Sequence, residues 1–139
     1  MKIILCLDDN NGISFNGRRQ SRDSKLRAKM LELTIGHGYK LWMNDYSAGQ
    51  FDDKTNLHIY NDISEIGDND YCFIENGPFS FIYESKVTEI VIYRWNRKYP
   101  VDVFFDFNLK ENGFHKISTI DFPGFSHDKI TEEIYIKKT

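Results

Sequence analysis

At 139 residues, 40% hydrophobic and 15% aromatic, the chain is long enough for one domain with a real core and too apolar for disorder. A net charge of −3 supplies no overall pull toward nucleic acid or anionic membrane, so any polyanion site must be a local basic patch. The two cysteines, Cys6 and Cys72, lie inside the apolar runs IILCL and YCFI, where they read as small buried hydrophobes rather than a disulfide or a zinc pair.

Residues 2–7 (KIILCL) read as a buried strand that stops abruptly at Asp8-Asp9-Asn10-Asn11-Gly12. This apolar run is too short for a signal peptide or a membrane span, so the expected address is the cytoplasm, with no membrane partner. Turn residues at 10–12 and at Asn16-Gly17 make 8–22 a loop with two tight bends. Ser21 or Asp23 then caps a helix running to about Thr34, with Leu26, Met30 and Leu33 on one face and Gly36 and Gly38 at its end. Further strands are expected at 39–43 (YKLWM), 57–60 (LHIY), 71–74 (YCFI) and 88–95 (TEIVIYRW). Segments 44–56 and 78–86 each hold at most a stub of helix, and 114–120 and 132–136 alternate like an antiparallel pair. The expected architecture is a single α/β domain over 1–139, with a mostly parallel sheet, a C-terminal antiparallel hairpin and few helices.

That order of elements resembles dihydrofolate reductase over nearly the whole chain. KIILCLDDNNGISFNG (2–17) is similar to the family's first strand and flexible loop. Asp23 stands where the family keeps its single active-site carboxylate, and LWMN (41–44) is similar to its second strand. FIENGPFSFIY (73–83) falls where the family carries a Gly-Gly turn. EIVIYRWNRKYPVDVFFDF with 113–136 resembles the C-terminal strand and terminal hairpin. The departures concern chemistry. Where the resemblance implies a glycine, an arginine and a threonine for the phosphates of NADPH, this chain has Asn44, Asp45 and Ser47, and an aspartate there repels a phosphate. Glu75-Asn76 replaces the Gly-Gly pair, so no NADPH binding in the family's manner, and no other cofactor, is expected. Around the carboxylate, Arg18, Arg19, Gln20, Ser21 and Arg22 replace an apolar wall. Asp23 therefore reads as a helix cap or arginine partner ahead of a catalytic acid. A narrower combination, FNGRRQSRD with YRWNR and SHDKITEEIY, resembles small bacterial proteins sometimes labelled ribonuclease Z. The four histidines, His37, His58, His115 and His127, form no metal motif of the kind that label implies.

Three constellations carry chemistry. Arg18, Arg19 and Arg22, with Arg94, Arg97 and Lys98, would share the carboxyl edge of a parallel sheet, where Tyr46 or Trp95 offers a stacking ring. The bland alternative is solvated charges, or pairs with Asp9, Asp23 and Asp102. In the turn Ser126-His127-Asp128-Lys129, His127 is a candidate acid or base and Lys129 a stabiliser of a phosphorane-like transition state. The alternative there is an ordinary turn histidine. Asp8, Asp9, Asp102 and Asp106 suit magnesium on charge alone, but such aspartates are more often turn formers, and no metal is expected.

The leading expectation is a reductase-like scaffold that binds a nucleotide or single-stranded RNA through its arginine loop. Arg18, Arg19 and Arg22 clamp phosphate, Gln20 and Ser21 add hydrogen bonds, and metal-independent ribonuclease activity would run through His127, Lys129 and Asp23. A non-catalytic module for a protein partner is the alternative, and a divergent NADPH-dependent reductase is third. No DNA-binding signature is present.

Overall fold

The computed structural model describes residues 1–77, 79–84 and 86–138. In chain order the elements are β1 (Lys2–Leu7), β2 (Gly12–Phe15), β3 (Arg18–Arg19), α1 (Ser24–Leu33), β4 (Leu41–Met43), α2 (Asp45–Ala48), β5 (Leu57–Ile59), β6 (Tyr71–Phe73), α3 (Phe81–Glu84), β7 (Glu89–Arg94), β8 (Val103–Phe104), β9 (Phe114–Phe122) and β10 (Ile130–Lys137). A seven-stranded sheet runs β5-β4-β6-β1-β7-β10-β9. β1 pairs in parallel with β6 and β7, and β10 is antiparallel to both of its neighbours.

β1 sits at the centre because both of its faces are apolar. Ile3, Ile4, Leu5 and Leu7 are fully buried, each contributing about 2 kcal/mol of transfer free energy. The two-residue period sends Ile3, Leu5 and Leu7 into one core with Ile90, Ile92 and Phe105. It sends Ile4 into a second core with Val91 and Tyr93. α1 covers that second core with Leu26 and Met30, one turn apart. The helix ends where the buried Thr34 folds its hydroxyl back onto the Met30 carbonyl at 2.8 Å, and Gly38 takes the left-handed conformation (φ 83°) after the next turn.

Segment 8–22 is more than the expected loop. Asn16 and Gly17 both have positive φ (51° and 71°) and close a β2–β3 hairpin. β8 pairs along the other side of β2, giving a separate three-stranded sheet. The expected helix stubs are α2 and α3. Pro78 and Ser85, within the second expected segment, lie outside the described residues. Both cysteines are free thiols. No helix among the described residues is long and apolar enough to cross a membrane.

At the carboxyl edge of the sheet, the Trp95 N–H donates to the Leu7 carbonyl (3.0 Å) and the Asp9 N–H to the Arg97 carbonyl (2.9 Å). β10 enters the sheet opposite Arg94, at the same edge. Connections 8–23, 95–102 and 123–129 therefore converge at one place.

Candidate functional site

Asp8, the first residue after β1, is completely buried. Its Oδ1 accepts from the N–H groups of Asn10 (2.9 Å) and Gly12 (2.8 Å), and its Oδ2 from Gln20 Nε2 (3.0 Å) and the Tyr99 N–H (3.2 Å). Burial alone would raise this carboxyl, but the Gly12, Tyr99 and Asn10 amides and the Gln20 side chain outweigh it and hold the group low. A Cβ on Gly12 would lie 2.9 Å from Asp8 Oδ1 and 2.6 Å from Val101 Cγ2, so only glycine allows this approach. Asp8 thereby fixes Gln20 and Tyr99, two walls of a crevice of about 580 Å³ completed by Phe15, Asn16, Arg18, Arg19 and Pro100.

Asp23 caps α1 with a side chain sealed from solvent. Oδ1 accepts from the N–H groups of Lys25 (2.9 Å), Leu26 (3.2 Å) and Phe125 (2.9 Å); Oδ2 accepts from Ser126 N–H (2.9 Å) and faces His127 Nδ1 at 2.9 Å. Burial pushes this carboxyl up, and the donors at Phe125, His127, Ser126 and Leu26 overcome it, holding the carboxyl far below the usual range. The partner is a histidine, not one of the arginines expected from the sequence. The turn comes this close because residue 124 is glycine: a Cβ there would meet Asp23 Oδ2 at 2.7 Å.

His127 is buried rather than displayed at a hairpin tip. An ionised Asp23 can only accept, so Nδ1 carries the proton facing it, and whenever the ring is neutral Nε2 offers a lone pair. Ser21 Oγ and Tyr99 Oη each lie 3.0 Å from Nε2. Trp95, also buried, lies against the imidazole at 4.6 Å between centroids and 31° between planes. Its ring braces His127 and is closed to a ligand.

The arginines separate into committed and free groups. Arg19 makes a two-point ion pair with the buried Glu75, Nε–Oε2 2.8 Å and Nη2–Oε1 3.1 Å, while Gln50 Nε2 donates to the same carboxylate at 3.1 Å. Its guanidinium also lies over Tyr46, 4.3 Å from the ring centroid, and its N–H donates to the Tyr46 hydroxyl. Arg94 is drawn away from the crevice by Glu133 (3.0 Å) and Asn11 on the opposite face of the sheet. The side chains of Arg18, Arg22 and Arg97 make no ion pair or hydrogen bond among the described residues. Arg18 lines the first crevice. Arg22 lines a second hollow of about 400 Å³ with Ser24, Arg27, Asp52 and Phe125. Lys129 is exposed, and its side chain does not join the His127 cluster. No three His, Cys, Asp or Glu side chains gather as metal ligands among the described residues.

No protein-family model matches the chain, and no curated protein matches it. Among solved structures it is similar to a dihydrofolate reductase from Enterococcus faecalis complexed with NADP(H) and RAB-propyl. That match has a TM-score of 0.67 at 12% identity, covering 99% of this chain and 96% of that one. The chain has the dihydrofolate reductase fold. At this identity the likeness carries backbone architecture alone, and the narrower resemblance to proteins labelled ribonuclease Z gains no support.

Within the dihydrofolate reductase fold, the residues that sequence reasoning underrated are Asp8, Glu75, Tyr99 and Trp95. From sequence, Asp8 reads as a turn former ahead of a metal ligand, Glu75 as a lost glycine and Trp95 as a stacking ring. Their signals existed separately: an Asp-x-x-x-Gly turn, a carboxylate directly after an apolar run, and aromatics flanking Arg97. Only the convergence of three distant connections joins them.

Proposed function

We propose that the chain binds a phosphate-bearing ligand of nucleotide size in the crevice beside β2 and β3. The observation that carries this reading is Arg18, a guanidinium in a concave site with no carboxylate partner among the described residues. Its fork suits phosphate oxygens, the rings of Tyr99 and Phe15 suit a base, and about 580 Å³ is within the range of small-molecule sites. Nucleotide size fits better than a long single strand, because tracking a strand needs successive open rings. Here Trp95 is buried and Arg19 lies over one face of Tyr46. Reductase chemistry is disfavoured: both oxygens of Asp23 are taken by the chain's own donors, and Glu75 with Arg19 occupies the segment that resembles the family's Gly-Gly turn.

The test is fluorescence anisotropy of labelled adenosine diphosphate, and of a short labelled RNA, across a salt series. Nucleotide affinity should fall with salt at a slope of roughly one to two phosphate contacts, and Arg18→Ala should lower the slope by about one. Salt-independent binding, or an unchanged Arg18→Ala variant, would overturn the reading. The partner-protein alternative is favoured by a different surface, Ile117, Ile120 and Phe125 (77% exposed) along β9 and the turn after it. If neither nucleotide nor RNA binds, that surface takes precedence.

A further inference from the structure

Ser21 Oγ, His127 and Asp23 form a continuous line, with Ser21 3.0 Å from Nε2 and Asp23 Oδ2 2.9 Å from Nδ1. This is the connectivity of a serine nucleophile, its base and the carboxylate that orients the base. We propose that Ser21 is a nucleophile toward phosphate esters, with His127 as acid–base catalyst and Asp23 as positioning residue. The assignment rests on reading the Arg18 crevice as a phosphate site.

Four observations support it. Asp23 caps α1, so Ser21 has no capping role, and His127 is the sole partner of its hydroxyl among the described residues. The imidazole is fixed on its face by Trp95 and at Nδ1 by Asp23, which leaves only the Nε2 lone pair for chemistry. That lone pair can receive one proton at a time, so Tyr99 and Ser21 exchange as donors and whichever is released can turn to a ligand. Finally, Ser21 is half-buried and sits in the chain between Gln20, which walls the first crevice, and Arg22, which walls the second, with unpaired guanidinium groups at 18 and 22. Guanidinium groups so placed stabilise the negative charge that builds on the phosphoryl oxygens as Oγ attacks.

In the forward step the Ser21 Oγ–H proton passes to His127 Nε2 as the Oγ–P bond forms. The bond from phosphorus to the departing alcohol breaks, and that oxygen takes the proton from Nε2. Water then attacks phosphorus, gives its proton to Nε2, and the Oγ–P bond breaks with the proton returned to Ser21. The products are the alcohol and a phosphate, with no external oxidant, reductant or metal in the balance.

The experiment is covalent labelling of the full chain with diisopropyl fluorophosphate, followed by intact-mass and peptide mass spectrometry. One adduct per chain on Ser21 is expected. Ser21→Ala should lose it, and His127→Gln should slow it on the order of 100-fold, with circular dichroism and thermal melting showing that both variants fold. An adduct on Tyr99 or elsewhere, an unchanged rate in His127→Gln, or no adduct would overturn the assignment. Nucleotide anisotropy on the same wild-type sample separates the two readings. Salt-sensitive binding without an adduct removes the nucleophile and leaves the crevice reading. An adduct without binding removes the phosphate-ester substrate class and leaves Ser21 reactive.

Discussion

Asp23 keeps a charge where water is excluded, and it does so with hydrogen-bond donors rather than a neighbouring arginine. The energetic sign follows from its lowered folded-state value. An aspartate in the unfolded chain titrates near about 4. The stabilisation is therefore fully present above that pH and is lost as pH falls toward the folded value. Urea midpoints measured from pH 6 down to pH 2 should fall more steeply in wild type than in Asp23→Asn, the remaining slope belonging partly to Asp8, which is lowered for similar reasons. Residue 124 is the steric counterpart. Gly124→Ala should destabilise by about 1–3 kcal/mol in urea melts, because the added methyl must push the turn off the carboxylate.

At the scale of elements, the turn before β10 is held to the start of α1 by Asp23, so its amides behave as part of the helix terminus. The Phe125 side chain is 77% exposed, yet its N–H and that of Ser126 are tied to a buried acceptor. Hydrogen exchange should show these two amides protected alongside Lys25, and Asp23→Ala should release all three together. A second tie joins the small sheet to the large one through Arg19 and Glu75. Glu75→Ala leaves a half-buried guanidinium without its carboxylate and should cost about 3 kcal/mol in equilibrium urea unfolding. The large sheet was legible in the sequence because β1, β6 and β7 are apolar runs with period-two or continuous burial. The small sheet was not. Strands of two to four residues carry no period, and β2 finds β8 about ninety positions later. Asn16-Gly17 marked the bend, but nothing local said that its flanks pair.

At the scale of the whole molecule, the loops rather than the layers decide the chemistry. The fold was readable from the order of elements, and so was the gathering of polar loops at the carboxyl edge of the sheet. Which arginines stay free was not readable, because Glu75 and Glu133, the carboxylates that claim Arg19 and Arg94, lie 56 and 39 positions away. Nor were the partners of His127, which come from three separate connections. A histidine in a turn looks ordinary until its partners are counted in space.

Asp23 and His127 are 104 positions apart. On a ribosome, the carboxylate emerges long before the turn that covers it, and α1 must wait with a capping residue whose second oxygen still faces water. The Ser21–His127 contact cannot form until β10 has docked onto β7, and contacts of such long sequence separation are slow to close. Any reactivity at Ser21 should therefore appear late in refolding, after far-ultraviolet circular dichroism has recovered. Newly made chains would lack the Ser21–His127 contact for as long as the final strand is out of place.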